Sequence, residues 1–156
     1  MNAIRVNTPL GMLVVEEKEG FLIRISFSDE VIEEKETEVL QLAKKQLSEY
    51  FEGKRNEFDL PIQLDGTDFQ KEVWHILQQI PYGSTLSYQE LALRIHRPKA
   101  LRAVGGACHR NPIAVVVPCH RVIGKKNQLV GYASGLDKKQ GLLALEKRGM
   151  LKNLSF

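Results

Sequence analysis

Residues 87 to 107 read Ser-Tyr-Gln-Glu-Leu-Ala-Leu-Arg-Ile-His-Arg-Pro-Lys-Ala-Leu-Arg-Ala-Val-Gly-Gly-Ala. Ser87 with Glu90 three residues later is a capping box, which satisfies orphan N–H groups reciprocally and opens a helix. The pattern predicts a short helix to about His96. Pro98 suits the first turn of a second helix, where a missing N–H costs nothing. That helix is expected to reach about Cys108. Two short helices joined by two or three residues form a helix-turn-helix pattern. Ala100, Ala103, Gly105, Gly106 and Ala107 leave the second helix with little side-chain bulk. Each interior glycine costs about 1 kcal/mol relative to alanine. Small residues permit close approach of another helix or of a ligand backbone, and spacing alone does not decide between them. Arg102 projects from the same helix.

Upstream of this stretch, Thr67-Asp68-Phe69-Gln70 is a second capping box, opening a helix that Pro81 ends. Phe69, Val73, Trp74, Leu77 and Ile80 form its apolar stripe. Residues 3 to 27 read as a β-meander with a hairpin at Glu19-Gly20. Residues 37 to 52 read as an amphipathic helix, with Gly53 as a stop signal. Residues 54 to 66 are extended and carry Pro61 and Gly66. A domain boundary is expected here, giving a β-rich unit over 1–66 and a mostly helical unit over 67–156. Downstream, Asn111-Pro112 ends the second helix of the motif. The apolar run from Ile113 to Val117 is expected to be a strand, since Pro118 restricts Val117 to extended geometry. Residues 123 to 136 read as a glycine-punctuated loop. Asp137 is expected to cap a last helix that Gly149 closes. The fold class is α+β.

The chain has 156 residues and a net charge of +3. Its charges are uneven. Residues 29 to 38 are acidic, whereas Arg94, Arg97, Lys99, Arg102, Arg110, Arg121, Lys125 and Lys126 make the later part basic. Such a surface suits a phosphate-bearing partner, although any one of these residues alone reads as a solvated charge. Only two cysteines are present, Cys108 and Cys119. That number does not build a disulfide scaffold and points to a reducing compartment. No signal-peptide pattern and no membrane-spanning run is seen.

The chemistry converges on Val117-Pro118-Cys119-His120-Arg121-Val122. A thiol reacts as its thiolate, which a nearby cation favours. Arg121 offers that charge, and His120 offers a base. An isolated cysteine, however, is more often a small buried hydrophobe.

The Pro-Cys-His-Arg-Val segment resembles the active-site segment of the O6-alkylguanine-DNA alkyltransferases (methylated-DNA–protein-cysteine methyltransferases). The likeness extends from about Thr67 to Gly149. It includes Ser87-Tyr88-Gln89-Glu90-Leu91-Ala92, the run from Pro98 to Ala107, and Asn111-Pro112. The resemblance implies irreversible, single-turnover transfer of an alkyl group from O6-methylguanine in duplex DNA to Cys119, with O4-methylthymine a second candidate substrate. It implies that His120 takes the thiol proton, that Glu146 orients His120, and that Asn111 holds the active-site turn. It further implies that the helix carrying Gly105 and Gly106 enters the minor groove. Arg102 would fill the gap left by the flipped nucleotide, and Tyr88 would help rotate that nucleotide and donate to the purine. Gln89, Arg97 and Lys125 are candidate phosphate or sugar contacts, and Ser134 is a candidate contributor to the alkyl pocket. No cofactor and no metal is implied. The partner would be DNA containing alkylated guanine, the protein a monomer, and the compartment the cytoplasm, or the nucleus in a eukaryote.

The chain also departs from the family. Residues 1–66 contain neither histidine nor cysteine, so a zinc site in that half cannot be built from those ligands. Leu142 and Leu145 stand where many relatives have tryptophan and histidine. Three rivals are weaker: a non-catalytic DNA-binding module, a metal site from Cys108-His109 and Cys119-His120, and a thiol hydrolase. The intact Cys119 segment speaks against the first. Adjacent ligands rarely point the same way, which weakens the second. The third leaves the glycine-rich helix unexplained.

Overall fold

The computed structural model describes residues 1–125 and 129–153. Two compact units are present. The first holds Met1–Asp65 together with Pro112–Ala114; the second holds Gly66–Asn111 and the chain from Val115 onward.

In the first unit, β1 (Asn2–Thr8), β2 (Gly11–Lys18) and β3 (Phe21–Phe27) form an antiparallel meander in that order. The β2–β3 hairpin turns at Glu19 and Gly20, both with positive φ, as a twist-matched two-residue turn requires. Helix α1 (Glu38–Phe51) starts at Thr37, whose side chain accepts from the Leu40 N–H. It buries Leu40, Ala43, Leu47 and Tyr50, one stripe at helical spacing, and touches all three strands. The outer edges of the sheet are covered in part. Arg5 and Lys35 backbone N–H groups bond Glu34 Oε1 and the Ala3 carbonyl on the β1 side. On the β3 side, Ile62 pairs with Leu22 and Ile113 pairs with Ile25. Covered edges do not offer unpaired backbone to another chain.

The second unit is mostly helical. It contains α2 (Asp68–Leu77), β4 (Leu86–Ser87), α3 (Tyr88–Arg94), α4 (Leu101–His109), β5 (Val122–Ile123) and α5 (Leu136–Asn153). Both capping boxes form as the sequence predicts, at Thr67 with Gln70 and at Ser87 with Glu90. Trp74 of α2 is buried and its indole N–H donates to the Ala107 carbonyl of α4, at 2.8 Å. The short parallel pair β4–β5 ties the start of α3 to the segment just after Cys119.

Several boundaries differ from expectation. The link between α3 and α4 is longer than two or three residues. Helix α3 ends in a Schellman motif: Arg97 N–H bonds the Ala92 carbonyl and His96 N–H bonds that of Leu93. His96 occupies the left-handed position, with φ 59°. Pro98 then takes the second position of a turn closed by Ala100 N–H to the Arg97 carbonyl, at 2.9 Å. Its fixed φ serves that turn as well as a helix start, so α4 begins only at Leu101. The run from Ile113 to Val117 is not a strand. Only Ile113 pairs, and residues 114–116 form a turn in which Val115 has φ 71°. A short apolar run signals burial without specifying its conformation. Asp137 lies in the first turn of α5 rather than capping it. Gly149 does not close α5, which continues to Asn153. It is there for space: a Cβ at Gly149 would collide with the Tyr82 hydroxyl.

Candidate active site

Cys119 opens a 3-10 turn, Cys119–Arg121. Pro118, at φ −84° and ψ 65°, is the centre of an inverse γ-turn in which Cys119 N–H bonds the Val117 carbonyl at 2.8 Å. The side-chain amide of Asn111 donates to that same carbonyl at 2.7 Å and to Cys119 Sγ at 3.1 Å. Asn111 therefore braces both the turn and the sulfur. Cys119 is only 7% exposed. Burial pushes its thiol up, while the Asn111 hydrogen bond and the Lys139 charge pull the other way.

His120, Arg121 and Glu146 form a buried cluster. His120 Nε2 lies 2.7 Å from Glu146 Oε2. Arg121 donates through Nε to Oε1 at 2.9 Å and through Nη2 to Oε2 at 3.0 Å, a bidentate pair. Its Nη1 donates to the Ile80 carbonyl, and Gly83 N–H donates to Glu146 Oε1. Burial alone would raise the Glu146 carboxyl, yet the hydrogen bonds and charges of His120 and Arg121 hold it at about 2. An ionised carboxylate has no proton to give, so the imidazole Nε2–H is the donor. That leaves Nδ1 as the basic nitrogen. It is buried and has no hydrogen-bond partner among the described residues. Burial lowers the His120 pKa despite Glu146, so the ring is neutral near pH 7.

The sequence reading gave Arg121 the role of charging the thiol. The structure commits Arg121 to Glu146 and puts Lys139 in that role. Lys139, on the first turns of α5, is wholly buried and donates from Nζ to the Val130 and Gly131 carbonyls at 2.9 and 3.2 Å. Burial works against its charge, and the Cys119 and Cys108 sulfurs support it. In sequence Lys139 looks like one more solvated lysine beside Lys138. Only its helical spacing from Leu142 and Glu146, one and two turns on, hinted that it faces inward.

A cavity of about 40 Å³ opens at the sulfur. Cys119, Cys108, Tyr88, Gly105, His109, Gly131 and Tyr132 line it. Burial, with the two sulfurs adding, pushes the Tyr88 phenol up to about 12, so it stays a proton donor. Its hydroxyl donates to the Val130 carbonyl at 3.2 Å, and the Lys139 ammonium lies 5.7 Å from its ring centroid. Tyr88 and Lys139 thus both fasten the strap that precedes α5. Tyr132, which sequence reasoning missed, is held protonated by burial and by the Cys119 sulfur.

Of the remaining candidates, Gly105 and Gly106 are half-buried, and a Cβ on either would meet nothing within 4 Å. Among the described residues no neighbouring element presses on them, so tight helix packing does not account for these glycines. Gln89, Arg97, Arg102 and Lys125 are exposed and do not line the cavity. Arg97 stacks over the Phe69 ring at 5.5 Å. Ser134 is half-buried in the strap, where Gly131 and Tyr132 rather than Ser134 face the cavity.

A family model described as 6-O-methylguanine DNA methyltransferase, DNA binding domain, matches residues 68–148. The ribonuclease-like domain of the same family matches residues 4–64. The methylated-DNA–protein-cysteine methyltransferase of Mycolicibacterium paratuberculosis is 46% identical over 149 residues, covering 92% of this chain and 90% of that one. The constitutive one of Bacillus subtilis is 46% identical over 151 residues, covering 90% and 92%. The crystal structure of Mycobacterium tuberculosis OGT in complex with DNA superposes with a TM-score of 0.89 at 40% identity, covering 96% of this chain and 94% of that one.

Proposed function

Since this chain belongs to the methylated-DNA–protein-cysteine methyltransferases, which reverse DNA alkylation directly by taking the alkyl group onto a cysteine, we propose that Cys119 is the acceptor. The observation that carries this is the setting of its sulfur. It receives a hydrogen bond from Asn111, and the next residue is a histidine whose Nε2 is locked on Glu146. His120 Nδ1 takes the thiol proton, directly or through one water, and Glu146 supports the imidazolium that results. Asn111 and Lys139 stabilise the thiolate. The sulfur attacks the alkyl carbon on guanine O6, the C–O bond breaks, and the purine leaves with a proton supplied by a donor such as Tyr88. A thioether is a poor leaving group, so each molecule reacts once. The chemistry calls on no cofactor.

The substrate in this reading is O6-alkylguanine in duplex DNA, with O4-methylthymine a second candidate. The bare glycine face of α4 fits against the duplex, and Arg102 takes the place of the extruded nucleotide. Gln89, Arg97 and Lys125 are suited to phosphate or sugar contacts. A cavity of about 40 Å³ accommodates a small alkyl group and not a purine, so the strap around Gly131 must move for the base to enter. Tyr88 must then exchange its bond to Val130 for one to the base. We assign the protein to act as a monomer in the cytoplasm, or in the nucleus of a eukaryote. The deciding experiment mixes the protein with a duplex carrying one O6-methylguanine and follows intact and peptide masses. The expected result is one methyl group on the Cys119 peptide, stoichiometric with repaired guanine. Tight binding with no mass change, or transfer by Cys119→Ala, would overturn the assignment.

A further inference from the structure

The two cysteines of this chain meet at one cavity. Cys108, on the last turn of α4, and Cys119, on the 3-10 turn, both line the space of about 40 Å³ beside Tyr88 and Tyr132. Both are free thiols, and they are the only cysteines in 156 residues. Each is nearly closed off from solvent, at 6% and 7% exposure. The alkyl-transfer mechanism uses one sulfur and assigns nothing to the other. We propose that Cys108 is a resolving thiol for Cys119, so that a small hydroperoxide converts the pair into an internal disulfide that a dithiol reverses.

The chemistry balances with hydrogen peroxide as oxidant. The Cys119 thiolate attacks one peroxide oxygen, the O–O bond breaks, and water forms as Cys119 becomes a sulfenic acid. The Cys108 sulfur then attacks the Cys119 sulfur. The S–O bond breaks, and the hydroxyl departs as water with the Cys108 proton. Two thiols have lost two electrons and one peroxide has become two waters. The site is arranged for this order. Burial pushes the Cys119 thiol up, and against it the Asn111 hydrogen bond on the sulfur favours the thiolate. Burial, with Cys119 adding, also pushes the Cys108 thiol up to about 12, and it is the Asn111 hydrogen bond on the Cys119 sulfur that starts oxidation there. The cavity has room for a few water-sized molecules, which admits a peroxide and excludes bulky oxidants. Bond formation draws the two walls of the cavity together until the sulfurs are about 2 Å apart. The linked form cannot accept an alkyl group, but its nucleophile is protected from irreversible sulfinic acid. In a protein that reacts once, a sulfur lost to oxidation is a repair event lost.

The test concerns the same sulfur as the proposed alkyl acceptor, but its mass readout is independent of repair. The full-length protein is treated with limiting hydrogen peroxide and digested without reduction. The expected product is the Cys108 peptide joined to the Cys119 peptide, two hydrogens lighter than the sum. Alkyl acceptance is lost with the same time course and returns on treatment with dithiothreitol. In Cys108→Ser and in Cys108→Ala, each compared with its own unoxidised sample, Cys119 is expected to proceed to sulfinic acid and activity not to return. Two variants guard against one failing to fold. Cys119 sulfinic acid in the wild type without the cross-link, cross-links only between separate molecules, or equal recovery in both variants would each overturn the proposal.

Discussion

Glu146 is one carboxylate serving three neighbours. It accepts from His120, from Arg121 twice and from Gly83 N–H, at 1% exposure. Removing its charge leaves the Arg121 guanidinium buried and unpaired, so Glu146→Gln is expected to lose roughly 3–5 kcal/mol of stability and to slow alkyl acceptance. Urea unfolding and single-turnover repair measure the two losses. The pH dependence has a definite sign. The folded pKa values of both His120 and Glu146 lie below their ordinary ones. Between the two values the unfolded chain binds more protons, so stability rises with pH and is lost on acidification. The His120 contribution begins to fade below its ordinary value of 6.5, and that of Glu146 fades between 4.5 and about 2. Urea midpoints measured from pH 7 downward should decline in that order, and a flat profile would contradict the buried cluster. Lys139→Met keeps the packing volume and removes a charge that favours the thiolate. Alkyl acceptance should slow by about tenfold, a loss of about 1.4 kcal/mol of transition-state stabilisation, and raising the pH should recover part of the loss. His120 and Glu146 were both legible in the sequence through the family segment. Lys139 was not, because a lysine that buries its whole stem is chemically identical on paper to one that does not.

At the scale of elements, α4 carries the sharpest test. Gly106 sits mid-helix with open space where a Cβ would be. If the glycine were there for packing, alanine would destabilise. The open space instead indicates that Gly106→Ala stabilises the fold by about 1 kcal/mol through helix propensity. Its binding to duplex DNA should weaken in a titration, because the face it thickens is the one assigned to the groove. A stability loss in urea, or unchanged binding, would remove the groove assignment. The helix starts of α2 and α3 were legible because a capping box is a contact between residues three apart. The stretch from Ile113 to Val117 was misread for the opposite reason. Whether an apolar run is a strand depends on a partner elsewhere in the chain, and here only Ile113 finds one, at Ile25.

At the scale of the whole molecule, the charge pattern separates by unit. The acidic run from Asp29 to Glu38 belongs to the first unit. The exposed Arg94, Arg97, Lys99, Arg102, Arg110 and Lys125 belong to the second, while Arg121 is buried and unavailable to phosphate and Lys126 lies outside the described residues. Electrostatic binding to DNA through these groups should weaken steeply with salt. Arg102→Ala should slow repair of O6-methylguanine in duplex far more than reaction with free O6-benzylguanine, since the free base needs no extrusion. Equal losses on the two substrates would argue against the flipping role.

The sequence by itself determined the meander, the capped helix starts, the Cys119 segment and the family. Each rests on local chemistry: contacts across a few residues, or a run of consecutive side chains that resembles a known one. Tertiary structure alone decided that Lys139 rather than Arg121 acts on the Cys119 sulfur, and that Arg121 pairs with Glu146. Lys139 is 20 residues from Cys119 in the chain, and Glu146 is 25 from Arg121. It also decided that Pro112–Ala114, lying between Asn111 and Cys119, completes the edge of the first unit's sheet. Burial, charge pairing and edge coverage are properties of neighbours in space, and a linear sequence does not state which neighbours those are.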